Sequence, residues 1–363
     1  MPGDGCDIAV HLYEPGNGGL DRVAILLANG FAARGRSTEL WLTRIDGPVA
    51  DLIAPGVTVR RLPGYGPIRG VSLTLQIPAL RDMIHERRPR VLLSAGNQGN
   101  RAVALGCRGT ATRAIAKITN PVDRPGAAKA VVAWRRARFG LNARLADLTL
   151  TLSEADAHRY APWFRTDKLA MVHNPYVTDA MLAIGDAREP RLPGSVPELV
   201  TVGRLAPQKS QATLLAALAR LADRPWRLTL VGDGPLEADL RAQAAALGLA
   251  DRVTFAGFTD PLPHMARADL FILSSRWEGL PAVALEALGC GLGLVVTDCA
   301  PGLREIAAQA AMPDPVPVGD EAALAAAIAT ALDTPPDTTR GRDIARRFTL
   351  DAAIDDHLRL MSV

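Results

Sequence analysis

The sequence predicts an α/β protein with two doubly wound domains. The chain has 363 residues, about twice the length of a typical domain. Short apolar runs alternate with helix-like segments, and this pattern stops at the Pro-, Gly- and charge-rich stretch 185–197 before it starts again. Strands separated by helices of this length pair in parallel with right-handed crossovers. We therefore expect domains over 1–184 and 198–342, joined by a linker over 185–197.

The first domain contains four predicted strands and two predicted helices. The strands are expected at 8–12, 38–43, 90–94 and 113–119, and the helices at about 20–34 and from Asn100 onward. A Gly-rich turn lies between the first strand and the first helix, and a polar loop, 95–99, follows the third strand. Both loops leave the carboxyl ends of their strands, where open α/β sheets bind ligands.

The second domain repeats this pattern. Strands are expected at 199–202, 227–231, 253–256, 270–274 and 292–297, with helices at 211–221 and 236–246 and a further helix that starts at Pro281 and stops near Gly289 and Gly291. The last segment, 343–363, has apolar residues at helical spacing. We expect it to be a helix that packs back on the amino-terminal domain.

Composition argues against several classes of protein. Aromatic residues make up only 4% of the chain, which argues against a base-stacking surface for nucleic acid. The four cysteines form no C-x-x-C pair, so neither a zinc site nor a disulfide framework is indicated. No secretory leader or membrane span is predicted. The expectation is a cytoplasmic protein, either soluble or bound peripherally to the inner face of the membrane.

Charge is divided unevenly between the two halves. Residues 1–184 carry 24 Lys and Arg against 15 Asp and Glu, whereas the whole chain has 41 against 38. The first half is therefore strongly basic and the second half acidic. This asymmetry predicts that the first half binds something anionic, either a membrane surface or a phosphate-bearing acceptor.

Two carboxylates eight residues apart are the most informative feature of the second half. Glu278 lies in a loop after a predicted strand, and Glu286 lies inside the following helix because Pro281 suits the first helical position. A strand end, a helix N-terminus and two acids therefore meet at one predicted crevice. A helix N-terminal acid beside a surface acid is the structural alternative.

Three other strand-to-helix turns carry candidate ligand-binding groups. Arg204 and Lys209 lie five residues apart after a strand, where they could neutralise a diphosphate or be two solvated cations. Segment 231–236 is a poor dinucleotide fingerprint because Glu237 stands at the third glycine position, so a tight turn is preferred. Segment 298–306 could hold an anion on its amides or be an ordinary turn.

The order of these motifs resembles the carboxyl-terminal domain of family 4 glycosyltransferases, which are retaining enzymes of the two-domain GT-B architecture with an E-x7-E motif. The resemblance rests on segments 203–209, 231–236, 257–258, 278–286 and 298–306. It is weaker in the first half, where segments 16–23, 95–100 and 173–175 carry it. The implied fold is two Rossmann-like domains facing each other across a cleft.

The resemblance assigns roles to residues of the second domain. It implies that Arg204 and Lys209 bind the donor diphosphate in place of a metal ion, and no D-x-D motif occurs in the sequence. Glu278 would meet the transferred sugar, and Glu286 would accept hydrogen bonds from the ribose hydroxyls. Backbone amides of Gly203, Gly279 and Leu280 would approach the donor's phosphate or sugar oxygens.

Roles in the first domain follow from the same resemblance. Gly18 and Gly19 would let the backbone approach the diphosphate, although a plain tight turn is the alternative. Many relatives carry a histidine after the strand matching 113–119, whereas this chain has Asn120, which cannot shuttle a proton. Asp123 could orient an acceptor hydroxyl or be a turn former.

The resemblance implies a metal-independent transferase without a cofactor. The donor would be a nucleotide sugar, with UDP as the preferred nucleotide. The acceptor would attack the sugar on the same face from which the diphosphate leaves. The leaving diphosphate would take the acceptor's proton and be stabilised by Arg204 and Lys209. A GT-B nucleotide-sugar epimerase and a non-catalytic nucleotide-sugar-binding protein stay open as alternatives, whereas the broken fingerprint disfavours a dehydrogenase.

The acceptor side depends on the basic, apolar segment 124–144. Six Lys and Arg residues alternate there with aliphatic and aromatic residues. A helix of this kind could lie on an anionic membrane and present a lipid-linked or glycan acceptor. A solvated helix with ordinary core contacts explains the pattern equally well.

Overall fold

The chain forms two compact units, each built on one parallel sheet. A computed structural model describes residues 5–16, 18–66, 68–123, 128–189, 191–192 and 194–363. The amino-terminal unit consists of Met1–Pro175 and Leu350–Val363, and the carboxyl-terminal unit is Tyr176–Thr349. Two parallel-sheet α/β units confirm the predicted fold class.

The amino-terminal unit has a sheet of seven described strands. They are β1 (Ile8–Leu12), β2 (Thr38–Leu42), β3 (Val57–Arg61), β4 (Val91–Ser94), β5 (Arg113–Lys117), β6 (Leu148–Thr151) and β7 (Leu169–Met171). Their order is β3-β2-β1-β4-β5-β6-β7, and all neighbours are parallel. The order therefore reverses between β1 and β4, the position where such sheets bind ligands.

Seven described helices accompany this sheet. They are α1 (Gly19–Ala33), α2 (Arg69–Leu75), α3 (Ile77–Arg87), α4 (Asn100–Gly106), α5 (Lys129–Leu145), α6 (Glu154–Phe164) and α15 (Leu350–Met361). Strand β1 is buried along its whole length, as are β2 and β4. Strands covered by helices on both faces are buried throughout, which is why they appear as continuous apolar runs.

The carboxyl-terminal unit has a sheet of five described strands. They are β8 (Glu198–Val202), β9 (Arg227–Val231), β10 (Val253–Gly257), β11 (Leu270–Leu273) and β12 (Gly293–Val296). Their order is β10-β9-β8-β11-β12, again with parallel neighbours. Here the order reverses between β8 and β11.

Eight described helices belong to this unit. They are α7 (Asp179–Asp186), α8 (Gln211–Ala219), α9 (Glu237–Ala246), α10 (Leu262–Arg267), α11 (Ala282–Gly289), α12 (Pro301–Gln309), α13 (Glu321–Asp333) and α14 (Thr339–Arg346). Leu214, Leu218 and Ile328 of α8 and α13 pack with Leu228 and Ile272 of the sheet in one apolar core. The core fixes the strands whose carboxyl ends carry the candidate site.

The predicted strands agree with the described ones to within two residues at each end. Three strands of the amino-terminal unit, β3, β6 and β7, were not predicted. Strand β3 is at the sheet edge and largely exposed, and β7 has three half-buried residues. Such short or edge strands lack the continuous apolar run that identifies a buried one.

The boundary between the units differs from the predicted linker. The first unit ends at Pro175, and α7 occupies 179–186. Arg188 then donates to the carbonyl oxygens of Ala268 and Cys290 at 2.6 and 2.8 Å. The first residues of the predicted linker 185–197 are therefore anchored to the carboxyl-terminal unit. Residues 190 and 193 of this linker lie outside the described residues. Composition alone does not reveal such an anchor.

The carboxyl terminus contains two helices instead of one. Helix α14 ends at Arg346 and α15 starts at Leu350, so the predicted helix over 343–363 is interrupted. The carbonyl oxygen of Phe348 between them accepts from the amides of Tyr176 and Val177 at 2.9 and 3.0 Å. This backbone pairing replaces helical hydrogen bonds. The structure assigns Leu350–Val363 to the amino-terminal unit.

A buried polar cluster ties α15 to the amino-terminal sheet. The ammonium of Lys117, 1% exposed, donates to Oδ1 of Asn174 at 2.6 Å and lies 3.1 Å from Nε2 of His357. Nδ1 of His357 lies 2.7 Å from the carbonyl oxygen of Ala353, which can only accept, so Nδ1 carries the proton and Nε2 is the acceptor. Burial lowers the pKa of Lys117 to about 7.

This shift predicts that stability rises with pH. Between pH 7 and the unfolded-state pKa of 10.5, the unfolded chain binds a proton at Lys117 that the folded chain lacks. The contribution of Lys117 to the free energy of unfolding should therefore rise by up to about 1.4 kcal/mol per pH unit above pH 7. Urea unfolding of the wild type and of Lys117→Met at pH 7, 8 and 9 measures the difference in slope. Equal slopes would contradict the assignment, and Lys117→Gln gives the same comparison if the methionine variant does not fold.

Candidate active site

Two predicted catalytic residues meet where the carboxyl-terminal sheet reverses its order. Lys209 lies in the loop after β8, and Glu278 lies in the loop after β11. Their Nζ and Oε1 atoms are 2.8 Å apart. Because β8 and β11 are parallel neighbours, both loops leave the ligand-binding edge of the sheet. Residues that are 69 positions apart in sequence thus form one charged pair.

Glu278 is held by further donors. Its Oε1 accepts from the Ser275 hydroxyl at 2.8 Å, and its Oε2 accepts from the Gln208 amide at 3.3 Å. The side chains of Lys209 and Glu278 are only 20% and 11% exposed. A sheltered, charge-assisted pair with additional hydrogen bonds keeps one geometry. Both charges are therefore in position before a ligand arrives.

Glycines shape the loop that carries Lys209. Gly203 has a φ of +153°, and a Cβ built on it would lie 3.1 Å from Cε of Lys209. Gly232 has a φ of +131°, and its Cβ would lie 2.3 Å from the carbonyl oxygen of Gly203. The amide of Gly203 donates to the Val231 carbonyl at 2.9 Å. The turn at 231–236 thus supports the neighbouring loop, as its interpretation as a tight turn predicts.

Arg204 lies in the same loop with an exposed side chain. Its carbonyl oxygen accepts from Nε2 of Gln211 at 3.1 Å, which fixes the backbone. Within the described part of the chain, its guanidinium makes no hydrogen bond or ion pair, so the structure does not join it to Lys209 or Glu278. The guanidinium is available to an anion at this edge of the sheet.

Glu286 lies inside α11, as predicted, and is half-buried. The helix begins at Ala282, so the prediction that Pro281 is its first helical residue was wrong by one position. Pro281 has a ψ of 105°, which is extended, and it precedes the helix without a side-chain cap. Leu280 is 7% exposed, so its side chain packs inside, and Gly279 lies in the same loop. The uncapped first turn keeps donors for a ligand.

Segment 298–306 closes the other side of this loop. The amide of Glu278 donates to the carbonyl oxygen of Cys299 at 2.9 Å, which joins the loops after β11 and β12. Asp298 forms an ion pair with Arg304 at the start of α12. An acid at this position competes with an anion for the helix N-terminus. The segment thus supports the loop that carries Glu278.

The amino-terminal unit has a cavity of about 360 Å³ where its sheet reverses between β1 and β4. The walls come from the end of β1, the loops after β4 and β5, and helices α2 and α5. Gly96 permits close packing at one wall, since a Cβ there would lie 2.2 Å from Cδ1 of Leu20. Each unit therefore has a candidate site at the reversal of its own sheet.

The predicted glycines of the first loop lie at this cavity. Gly18 lines it and precedes α1 without a side-chain cap. A Cβ at Gly18 would lie 3.0 Å from Oδ2 of Asp21, whereas a Cβ at Gly19 would meet nothing within 4 Å. The protein itself therefore does not require glycine at position 19, and Asn17 of the predicted loop 16–23 lies outside the described residues.

His11 lines the same cavity and was missed by sequence reasoning. It is 1% exposed, and neither ring nitrogen has a hydrogen bond within the described residues. Gln76 approaches the ring but uses its amide on Thr43 and on the carbonyl of Pro63. Burial lowers the pKa of His11 to about 4, so the ring is neutral at pH 7. A histidine in an otherwise apolar strand was the available signal.

Asn120 and Asp123, the predicted acceptor contacts, have different surroundings. Asn120 lines the cavity, and its carbonyl oxygen accepts from Nδ2 of Asn97 at 3.2 Å. Asp123 instead forms ion pairs with Arg159 and with Arg136, the latter at 3.8 Å, and is not part of the cavity wall. The structure therefore places Asn120 in the candidate site and Asp123 in a network between α5 and α6.

The basic segment forms α5 over Lys129–Leu145, and residues 124–127 lie outside the described ones. Phe139 is buried, whereas Val131 and Trp134 are 48% and 60% exposed. The guanidinium of Arg138 lies 4.9 Å from the Trp134 ring centroid. The helix thus has a core face and an outward face that is both apolar and basic. None of the described helices has the length and hydropathy needed to cross a bilayer.

Sequence reasoning also missed Ser275 and Gln208, the two neutral partners of Glu278. Gln208 directly precedes Lys209, and Ser275 follows β11 at the carboxyl edge of the sheet. Position at that edge was the available signal. Which polar residue of each loop turns toward the carboxylate depends on the loop's backbone, which the sequence pattern does not specify.

Comparison with known proteins finds relatives of the carboxyl-terminal unit. Residues 196–334 match the family model described as Glycosyl transferases group 1. A Campylobacter jejuni N-acetylgalactosamine-N,N'-diacetylbacillosaminyl-diphospho-undecaprenol 4-alpha-N-acetylgalactosaminyltransferase is 36% identical over 109 residues, which is 30% of each protein. A Mycobacterium tuberculosis GDP-mannose-dependent alpha-(1-6)-phosphatidylinositol monomannoside mannosyltransferase is 40% identical over 114 residues, 28% of this chain and 30% of the relative. The matches thus span about three tenths of these relatives.

A solved structure extends the likeness to the whole chain. Anabaena HepE in complex with UDP and glucose superposes with a TM-score of 0.77 at 20% identity, covering 98% of this chain and 99% of that one. At this identity the match shows the fold alone. The chain therefore has the GT-B fold, and its residues 196–334 are similar to the group 1 glycosyl transferases.

Proposed function

We propose that this protein is a retaining glycosyltransferase. It would move a hexose or N-acetylhexosamine from a nucleotide-diphosphate sugar to a lipid-linked or glycan acceptor of the cell envelope. The observation that carries this proposal is the preformed Lys209–Glu278 pair at the reversal of the β8–β11 sheet, within the segment that matches the group 1 glycosyltransferases. A charged pair held at this edge suits a charged sugar donor.

The donor's diphosphate is assigned to Arg204 and Lys209. The first is exposed and the second sheltered, and both follow β8. Two fixed cations can balance the diphosphate charge without a divalent ion, so the proposed enzyme is metal-independent. Glu286 would bind the ribose hydroxyls. The backbone of Gly203, Gly279 and Leu280 would face the phosphates and the sugar, and UDP is the preferred nucleotide.

The proposed chemistry is a displacement on one face of the sugar. The bond from the anomeric carbon to the β-phosphate oxygen breaks, and a bond to the acceptor oxygen forms on the same face. The acceptor's proton passes to the departing phosphate oxygen. Lys209 and Arg204 stabilise the negative charge that grows on the diphosphate, and Glu278 stands beside the positively charged sugar. Because Lys209 is held in place beforehand, little reorganisation is required during the step.

The acceptor is proposed to bind the amino-terminal unit. The names of two relatives specify acceptors attached to undecaprenol diphosphate and to phosphatidylinositol, which are anionic lipids. The outward face of α5 combines arginines with exposed Trp134 and Val131, which suits an anionic bilayer surface. Peripheral binding to the inner face of the cytoplasmic membrane is part of the proposal. Nucleic acid is not a proposed partner.

Incubation with labelled nucleotide sugars tests this function and separates it from its alternatives. We expect slow hydrolysis of the donor or transfer of the label, greatest with UDP-sugars and unchanged by EDTA. An isomerised sugar would instead indicate an epimerase, and binding without turnover would indicate a non-catalytic binding protein. A thermal-shift series with UDP, GDP and ADP identifies the base, because a nucleotide that binds only the folded state raises Tm.

A further inference from the structure

Two consecutive serines after β11 hold the two members of the Lys209–Glu278 pair separately. The Ser274 hydroxyl donates to the carbonyl oxygen of Lys209 at 2.9 Å, and the Ser275 hydroxyl donates to Oε1 of Glu278 at 2.8 Å. Both serines are buried. One serine thus fixes the backbone of the lysine, and the other fixes the carboxylate of the glutamate. The position of each residue therefore does not depend only on the attraction between their charges.

Gln208 holds the second oxygen of the carboxylate from the loop after β8. Its Nε2 donates to Oε2 of Glu278 at 3.3 Å and to the carbonyl oxygen of Trp277 at 2.9 Å. Its own carbonyl oxygen accepts from the amide of Arg276 at 2.7 Å. The side chain and the backbone of Gln208 thus both contact the loop that carries Glu278. Each carboxylate oxygen accordingly has a neutral donor, in addition to the Lys209 ammonium on Oε1.

A third loop fixes the position of Ser275. The hydroxyl of Thr297, which follows β12, donates to the carbonyl oxygen of Ser275 at 2.6 Å. The amide of Thr297 donates to the carbonyl oxygen of Leu273, the last residue of β11, at 2.9 Å. Thr297 is fully buried, and β12 is the parallel neighbour of β11. Ser275 is therefore held by the sheet itself, which keeps its hydroxyl in one place.

The proposed function requires Lys209 to share its ammonium with a second anion. Under that function the ammonium binds the donor's diphosphate, which carries more charge than one carboxylate. The three N–H groups of the ammonium are then divided between the diphosphate and Glu278. A glutamate held by the lysine alone would lose its orientation at this point, and the diphosphate would repel it. Ser275 and Gln208 carry no charge that would draw them to the diphosphate, so their hydrogen bonds to Glu278 persist.

Neutral donors also preserve the negative charge of the carboxylate. A cation at 2.8 Å offsets much of the charge on Glu278, whereas a hydroxyl or an amide orients the carboxylate without adding an opposite charge. The Glu278 side chain is sheltered, so its charge acts on a neighbouring group more strongly than it would in water. A carboxylate that is fixed in this way and not neutralised is suited to stabilise a positively charged sugar.

We propose that Ser275 and Gln208 are positioning residues, which hold Glu278 toward the sugar once Lys209 engages the diphosphate. The inference rests on the proposed function. Ser275 fixes Oε1 and Gln208 fixes Oε2, so donors from two different loops set the plane of the carboxylate. Neither side chain is assigned a contact with the donor. Their loss therefore slows the chemical step and leaves nucleotide affinity nearly unchanged.

The test is a double-mutant cycle between these donors and Glu278. Ser275→Ala and Gln208→Met remove the hydrogen bonds and leave side chains of similar size. Donor-hydrolysis kinetics and UDP calorimetry are measured for each variant in the wild-type and in the Glu278→Gln background. We expect each substitution to lower kcat at least about tenfold in the wild-type background and to change UDP affinity less than about threefold. In the Glu278→Gln background each should lower kcat less than about twofold, because the charge that it positions is already absent.

Matched controls come from the same unit. Ser195→Ala and Gln243→Met remove side-chain hydrogen bonds of 2.8 and 3.0 Å to backbone carbonyl oxygens, and they should change neither kcat nor UDP affinity. Ser275→Thr keeps the hydroxyl and should recover part of the activity lost in Ser275→Ala. Gln208 is only half-buried, so Gln208→Met alone keeps the test valid if Ser275→Ala disturbs the fold.

Three results would overturn the proposal. The first is an equal fall in kcat in both backgrounds, which indicates a general structural role. The second is a loss of UDP affinity that matches the loss of kcat, and the third is a wild-type kcat in both single variants. Absence of donor turnover by the wild-type protein would instead contradict the proposed function, and the positioning role with it. The two failures are distinguishable because the first three results are obtained in a protein that turns over nucleotide sugars.

Discussion

Lys209→Ala should lower kcat for donor turnover by about 10²–10³-fold, the effect of removing one preorganised stabilising group. The ammonium is fixed by Glu278 at 2.8 Å, and its aliphatic chain lies against Gly203. Its position is therefore set before the diphosphate develops charge, so its loss should affect the transition state more than donor binding. Steady-state kinetics with the preferred nucleotide sugar measure kcat and KM separately.

The control for Lys209 is another cation of the same unit. Arg220 is exposed at the carboxyl end of α8, whereas Lys209 precedes the amino end of the same helix. Arg220→Ala should therefore leave kcat unchanged. Lys209→Arg keeps the charge but adds bulk beside Gly203, so it should recover part of the activity. A kcat within twofold of wild type for Lys209→Ala would refute the assignment of the diphosphate to this residue.

Glu278→Gln should separate turnover from nucleotide binding. The amide keeps the shape of the carboxylate but removes the charge that faces Lys209 and, under the proposed function, the sugar. We expect kcat to fall about 10²-fold. Affinity for UDP should be unchanged or up to about tenfold tighter, because Lys209 loses the carboxylate that competes with the diphosphate. Calorimetry with UDP and donor-hydrolysis kinetics measure the two effects.

Glu237→Gln is the matched control for this prediction. Glu237 also forms an ion pair at 2.8 Å, with Arg241, but its side chain on α9 is 35% exposed, against 11% for Glu278. Its replacement should change neither UDP affinity nor kcat, because exposed pairs contribute little. If Glu278→Gln instead weakens UDP binding as strongly as it lowers kcat, Glu278 serves only to position Lys209, and its proposed contact with the sugar is wrong.

Most of the candidate donor site was predictable because it depends on local sequence. One segment contains an apolar strand followed by a loop with two cations. Another contains an apolar strand followed by a loop and a helix with two acids. In each segment the residue pattern alone predicts the strand, the loop and the start of the helix. Parallel pairing then requires both loops to leave the same edge of the sheet. Lys209 and Glu278 were predicted from such patterns, and the structure brings them together. Glu286 was placed in the helix by the same reasoning.

The cavity between β1 and β4 of the amino-terminal unit was less predictable. His11 and Arg69 come from a strand and from a helix that share no recognisable motif, and Gln76 follows that helix. Their proximity results from the way α2 and α5 pack beside the sheet. Sequence periodicity describes one element at a time and does not specify which side chains from separate elements border a common space. Asp123, chosen from sequence alone, is instead paired with Arg159.

The sequence by itself determined the two-domain parallel α/β fold, the strand-to-helix loops that carry Arg204, Lys209, Glu278 and Glu286, and the resemblance to family 4 glycosyltransferases. These depend on apolar periodicity and on residue order, which are properties of short segments. Only the tertiary structure decided that Lys209 contacts Glu278, that the first unit ends at Pro175, and that the carboxyl-terminal helix is interrupted between Arg346 and Leu350. Those facts depend on contacts between distant segments, whose free energy is gained only when whole elements pack together.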